Sequence, residues 1–466
     1  MKKTIIFFLI LSFAFITIGL PLHYMNLKNP EKIRFIKDLI PNQFKSFLKK
    51  TFFFIPEYIR KHELLLGYYK KGQILEQKLD KVMQIKDMVN EEIFPQTQFM
   101  KINYKEILVD GLDKRDSFLN PTGNKNSPFY IETLNEKTIL IAANGTALFY
   151  ETLKLLGKEK LDKFEIKNNL PKNITVTDSL VFKNQIFVSF VNQNKACDSM
   201  EIFYAEINLD FLNFKEFYLQ GSIGECYEMT LGGRMAVYDD AGHPSILISI
   251  KDINKKKYFL MERLSFMKLQ NYLDQYNKNL YFKFGIILLI DIKTKETRPI
   301  TSGHRNPHGL LVNEKNIILS TEHGPRGGDE VNKIVEGKNY GWPLASYGEN
   351  YNDNFDAADK FSFKKNHSQH GFKEPIYSFV PSIAISQIIQ VPEEFSSRWQ
   401  NSYLITSLKG HSIYRVVFDE NYSRIITMEK IRIGKRIRDI AYNKKYNLFL
   451  LALENESGSI GVFRAD

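Results

Sequence analysis

Between Gly303 and Pro343 one short stretch gathers His304, Arg305, His308, His323, Arg326, Asp329 and Glu330. Glycines at 303, 309, 324, 327, 328 and 341 punctuate it, and a strand-like run, Asn316–Thr321, separates its two polar clusters. A strand bounded by glycine-rich turns presents side chains and bare carbonyls on one rim of a sheet. Arg305 suits an anion there, and carbonyls with Glu330 suit a hard cation. Further cations follow downstream. Lys409 lies in Thr406–Gly410, and Arg436 and Arg438 alternate, which puts both on one face of a strand. An arginine fork matches a carboxylate in two places, so a group of such residues meeting on one rim suits a ligand with several carboxylates.

Three motifs in this region, GHRNPHGL, STEHGPRGGDE and NYGWP, stand in the order and spacing of a known family. The chain resembles the soluble quinoprotein glucose and sorbosone dehydrogenases from roughly Lys137 onward. The resemblance implies a six-bladed β-propeller carrying pyrroloquinoline quinone (PQQ) and calcium on one face, and oxidation of an aldose sugar or related hydroxyl compound. It implies cofactor contacts at Arg305, Asn306, Lys409, Arg436 and Arg438. It puts one calcium at the carbonyls of Gly324 and Pro325 and another at Glu330 and Tyr340. The family's general base is a histidine four residues before the arginine of a Gly-Arg turn. In this chain the turn reads Met229–Arg234, and Thr230 stands in that place. A threonine hydroxyl does not titrate near neutral pH and cannot take the proton. His308 replaces what is usually a glutamine, which makes it the candidate substitute. The rival expectation is a propeller that kept the fold, lost the base and acts as a binding or scaffold module.

The elements that must position these residues are strands. From about Phe99 helical periodicity gives way to short apolar runs closed by turns of Asn, Asp, Lys or Gly. Such a unit recurs at Lys137–Ala142, Ser179–Ser189, Arg234–Ser249, Gly309–Ser320, Ser386–Ser407 and Arg438–Ala452. Units at spacings of roughly 40 to 80 residues fit propeller blades with insertions. The expected fold is therefore an all-β, six-bladed β-propeller over 98–466. Insertions are expected at Lys251–Lys283 and Glu349–Glu374, the second with His367 and His370 in a solvated loop.

The preceding chain reads differently. Lys2 and Lys3 precede an uncharged run, Thr4–Leu22, just long enough to span a bilayer. No small-residue cleavage site follows it, so residues 1–27 read as a signal anchor rather than a cleaved signal peptide. Residues 28–97 read as a helical membrane-proximal segment. The positive-inside bias sends the remainder outward, to a periplasmic or extracytoplasmic location.

Composition supports that class. The 466 residues are 43% apolar and 25% charged, as in a globular protein large enough for a substantial core. A net charge of +11 comes with no nucleic-acid motif, so an anionic membrane surface is the expected basic-patch partner. Cys197 and Cys226 are the only cysteines, with no zinc-type spacing, and an extracytoplasmic chain would bridge them. The sugar-like substrate and the electron acceptor are not named by any motif.

Overall fold

The computed structural model describes residues 128–193, 199–219, 232–252, 284–349, 363–455 and 458–465, with shorter stretches between 97 and 126. All belong to the unit Phe94–Asp466. The expected anchor, nearly all of the expected helical segment, Thr230, Cys197, Cys226 and most of the 251–283 insertion lie outside the described residues. Among the described residues no helix is long and apolar enough to cross a membrane.

Among the described residues six sheets of four or five strands, antiparallel apart from short parallel pairings at two edges, follow one another along the chain, beside one two-stranded ribbon. Their innermost strands are Phe129–Leu134, Ile174–Phe182, Met235–Asp240, Pro307–Val312, Ile385–Gln390 and Arg436–Asn443, heading blades 1 to 6. Each of the six sequence units falls in a separate blade, mostly across its first two strands. Blade 6 closes the ring. Its strands Arg436–Asn443, Leu448–Glu454 and Ser459–Ala465 are completed by Ile102–Val109 from the start of the unit, in register Ile102↔Ala465 to Leu108↔Ser459.

The middle strands of a blade are covered by a neighbouring blade on each face. Strict alternation is lost there, and His243–Ile250, Ile286–Asp291 and Leu448–Glu454 become nearly continuous apolar runs. Outer strands regain polar positions, as in Lys215–Leu219 and Ile425–Arg432.

The inner strands meet on a single guanidinium. Arg234, only 2% exposed, heads the inner strand of blade 3. Its Nη1 donates to Asp178 Oδ1 of blade 2 at 2.7 Å and to Asp439 Oδ1 of blade 6 at 2.8 Å. Its Nε donates to the His308 carbonyl of blade 4 at 2.8 Å, and its Nη2 to the Arg438 carbonyl at 2.7 Å. The Tyr130 ring of blade 1 lies 4.9 Å from its Cζ. Asp439 also accepts from the Ile131 amide at 3.1 Å, and Asp178 from the Met235 amide at 2.7 Å. Blade 5 joins through Ser386, whose hydroxyl donates to the Ile437 carbonyl at 2.6 Å. Gly233 delivers Arg234 to the axis at φ +86°, and a Cβ there would collide with the Thr177 hydroxyl.

Removing the arginine leaves two buried carboxylates with no counter-charge. Arg234→Met should lower unfolding free energy by about 3–5 kcal/mol. Denaturant titration of the variant against wild type checks this; a loss under about 1 kcal/mol would show that the axis does not depend on the pair.

Candidate functional site

Antiparallel strands put the start of the first, the end of the second and the start of the third on one face of each blade. Arg305 precedes the first strand of blade 4, and His323 follows its second, Ile318–Glu322. Lys409 lies between the second and third strands of blade 5, Ser402–Ser407 and Ser412–Phe418. Arg436 and Arg438 open blade 6. These residues therefore share one face.

At its centre His308 and His323 stack with ring centroids 4.0 Å apart and planes 10° apart. The Asn306 amide nitrogen donates to His308 Nε2 at 2.9 Å. His323 Nε2 lies 2.5 Å from the Ile385 carbonyl, an acceptor, so Nε2 carries the proton and Nδ1 the lone pair. Burial first, and then His323, holds His308 well below the ordinary imidazole range. Burial likewise brings His323 down to about 4, against the opposing pull of Asp329. Both rings are neutral at pH 7.

Arg305 flanks the stack. Its Nη1 donates to the His323 carbonyl at 3.0 Å, and its Cζ lies 5.3 Å from the Trp342 ring. Trp342 is fixed by its Nε1 donating to Asp252 at 2.9 Å. Glu322 sets the backbone of this turn, accepting from the amides of Arg305 and Asn306 and facing His304 Nδ1 at 3.0 Å. Arg305 Nε and Asn306 Oδ1 are buried without hydrogen-bond partners. Lys251, pushed down to about 8 by burial and then by Arg305, adds a further cationic neighbour.

Arg436 and Arg438 share a face, as their alternation implies, but that face also carries Glu454. Its carboxylate accepts from Arg436 Nε at 3.1 Å and from Arg438 Nε at 2.5 Å. Arg438 lies near enough to depress both stacked imidazoles, whereas Lys409 is an exposed side chain at the tip of its turn.

Next to this cationic centre, Gly324 donates its amide to Asp329 Oδ1 at 3.1 Å. A Cβ on Gly324 would collide with the carbonyls of Gly327 and Gly328, so this turn is lined by backbone oxygen. Glu330 is buried and held well above the usual carboxylate range by burial and then by Glu322. The Tyr340 hydroxyl is committed, donating to the Lys333 carbonyl at 2.6 Å and accepting from Val335 at 3.0 Å. His367 differs from expectation. It is 1% exposed rather than solvated, stacked 5.3 Å from Tyr347 and 3.6 Å from Glu330. Arg234, Glu322, His323 and His367 were not assigned site roles by sequence reasoning. Their signal was the density of buried-type charge beside glycine, without the pairing that only the fold supplies.

The fold is a six-bladed β-propeller with a cationic, imidazole-bearing face, and part of the chain is similar to quinoprotein sugar dehydrogenases. Residues 291–462 match the family model described as glucose / sorbosone dehydrogenase, a shorter span than the expected start near Lys137. The match runs from the end of the third strand of blade 3 through blade 6. Over 156 residues the chain is 33% identical to aldose sugar dehydrogenase YliI of Escherichia coli K12, covering 33% of this chain and 40% of that protein. Over 208 residues it is 27% identical to quinoprotein glucose dehydrogenase B of Acinetobacter calcoaceticus, covering 34% and 43%. The chain thus spans less than half the length of these curated relatives. In fold the likeness is wider. The solved apo-form of the soluble aldose sugar dehydrogenase from Escherichia coli superposes with a TM-score of 0.58 at 20% identity, over 78% of this chain and 100% of that one. The PQQ-bound aldose sugar dehydrogenase from Streptomyces coelicolor does so at 0.51 and 13% identity, over 80% and 100%.

The stacked imidazoles make stability pH-dependent. Each binds a proton more weakly folded than unfolded. As pH falls from about 6.5 toward 4 the unfolded chain gains protons that the folded rings refuse. Stability should therefore drop, by up to about 1.4 kcal/mol per pH unit for each ring. Urea titrations across that window should show the drop, with a shallower slope in His323→Gln.

Proposed function

We propose that the chain is a PQQ-dependent dehydrogenase of an aldose sugar or related hydroxyl compound, working outside the cytoplasm on an N-terminal membrane anchor. The observation that carries this reading is the pair of orphaned polar atoms, Arg305 Nε and Asn306 Oδ1, beside a flat imidazole stack. Arg305 Nε can donate to a carboxylate and Asn306 Oδ1 can accept from a ring N–H, so a planar heteroaromatic ligand bearing carboxylates fits that chemistry. Arg305, Asn306 and Arg438 would hold it, with Arg436 and Lys409 adding positive charge at the margin. The carbonyl-lined turn at Gly324 and Pro325 suits calcium, which takes backbone oxygens. PQQ, when bound, supplies a two-electron acceptor.

The protein's own task is the proton. Oxidising a hydroxyl-bearing carbon removes a hydride from carbon and a proton from oxygen. With Thr230 in the base's usual place, the proton falls to the stacked pair. His308 Nε2 already receives the Asn306 amide, whereas His323 Nδ1 keeps its lone pair. His323 therefore takes the place of proton acceptor, with the His308 ring stacked against it. Arg305 and Arg438, held close by, favour the deprotonated alkoxide.

The test is reconstitution of the purified full chain with PQQ and calcium, reading the bound-quinone absorption and dye-linked aldose oxidation. The expected result is a quinone spectrum with slow oxidation, made faster by Thr230→His. His323→Gln and His308→Ala should each cut the rate about 10²–10⁴-fold while leaving the spectrum in place. Absence of any bound-quinone spectrum overturns the reading. A spectrum without oxidation of any sugar tried, unchanged by Thr230→His, would favour the binding-module alternative.

A further inference from the structure

A second polar centre lies where the third strand of blade 4, Asp329–Ile334, meets the segment 363–374. Glu330 Oε1 and His367 Nε2 stand 3.6 Å apart, beyond hydrogen-bond reach. Glu330 is 7% exposed. Neither ring nitrogen of the buried His367 makes a hydrogen bond of good geometry, and the carbonyls of Lys373 and Tyr340 near it can take only its one N–H. Asn332 spends its amide nitrogen on Glu330 Oε2 at 3.3 Å, which leaves its Oδ1 buried without a partner. With its single N–H turned to a carbonyl, the ring keeps one bare lone pair, which stands with Glu330 and Asn332 Oδ1 as acceptors in a site closed to bulk water. Such a centre is costly unless a cation completes it.

Calcium fits this set poorly. It takes six to eight oxygens, and here one of the two ionisable groups is an imidazole. The Tyr340 hydroxyl is already spent, so only its carbonyl remains. Imidazole nitrogen suits zinc and its first-row neighbours. Ligands on a tetrahedral zinc, with bonds of about 2.0–2.2 Å, sit about 3.4 Å apart, close to the spacing found here. Among the described residues no third His, Cys, Asp or Glu joins the pair, so Asn332 Oδ1 and backbone oxygen are left as further donors.

We propose that Glu330 and His367 hold a borderline divalent ion of the zinc class, in place of the calcium that the family resemblance puts at Glu330 and Tyr340. The ion would pin the 363–374 segment to blade 4, next to the turn at Gly324. Tyr347 stacks on the ring and is itself held by Glu374 at 2.9 Å, which fixes the imidazole plane. The role is structural, so it does not depend on turnover.

The full chain, stripped with a chelator and dialysed, is titrated separately with zinc, cobalt and calcium. Metal content is read by atomic spectroscopy, stability by thermal midpoint, and coordination by the cobalt ligand-field absorption. The expected result is one tightly held zinc per chain, at least tenfold tighter than calcium at this site, with a raised midpoint and a visible cobalt band. His367→Gln should lose the band and the zinc, while His370→Gln keeps both. Zinc content and band unchanged in His367→Gln would overturn the proposal. So would calcium binding more tightly than zinc to wild type. If His367→Gln fails to fold, a wild type with no cobalt band of nitrogen–oxygen character is sufficient to reject it. None of these readouts requires bound PQQ or sugar oxidation, so failure here is distinguishable from failure of the functional reading.

Discussion

One buried guanidinium sets the terms for everything around it. Arg234 cannot lose its proton, and burial would expel it unless negative charge came with it. Asp178 and Asp439 supply that charge from blades 2 and 6, and the carbonyls of His308 and Arg438 use its remaining donors. Five blades thereby report to one group, with Tyr130 contributing the fifth as an aromatic face. Any shift of one inner strand breaks a charge-assisted bond in another. A propeller core is otherwise aliphatic packing between sheets, which resists separation but specifies position weakly. The arginine supplies the specificity at the axis.

The candidate site takes its geometry from that hub and from two further buried carboxylates, Asp329 and Glu322. Arg234 fixes the His308 carbonyl, hence the height of the His308 ring. Asp329 accepts from the Gly324 amide, from Ser382 at 2.7 Å and from the Ile385 amide at 3.2 Å. Ile385 then accepts from His323 with its carbonyl. One buried aspartate thus sets both the carbonyl-lined turn and the tautomer of the second imidazole. Glu322 does the same for Arg305 and Asn306 through their amides. The acidic groups lie beneath the loops and the cations lie above them, which lets opposite charges crowd one rim without cancelling every donor.

How much of this was legible in the sequence follows from what sequence patterns encode. Strand count and blade spacing were legible because sandwiched strands force apolar runs at regular intervals. The stretch that forms the candidate rim stood out because the motifs around Arg305, Glu330 and Tyr340 are contiguous in sequence. Arg436 and Arg438 were rightly put on one face, since alternation is local. Their shared partner Glu454 was not visible, because it comes from the adjacent strand, Leu448–Glu454, in a register interrupted by a bulge between Ile437 and Asp439. Arg234 was noticed only as a marker for the turn at Thr230; its hydrogen-bond partners lie in three other blades and its aromatic partner in a fourth. His367 was misjudged because a polar, glycine-flanked loop gives no sign that it folds back over Glu330. Long-range pairing of charge is the component that composition and periodicity do not carry.

The two halves of the propeller also differ in what relates them to other proteins. The family match begins at residue 291 and covers blades 4 to 6, which contain Arg305, Asn306, Gly324, Pro325, Glu330, Lys409, Arg436 and Arg438. Blades 1 and 2 and most of blade 3 lie outside it. A planar anion is recognised mainly by fixed cations and backbone, and those sit in the matched half. The stacked imidazoles of His308 and His323 lie in that half as well. Within the matched half, Glu454 holds Arg436 and Arg438 at a net charge of +1 for the trio, while Arg305 keeps its Nε unpaired. The strongest pull on an incoming carboxylate is therefore at Arg305, beside the imidazole pair. A carboxylate drawn to Arg305 would stand beside the two stacked imidazoles, whose neutral rings do not compete for it.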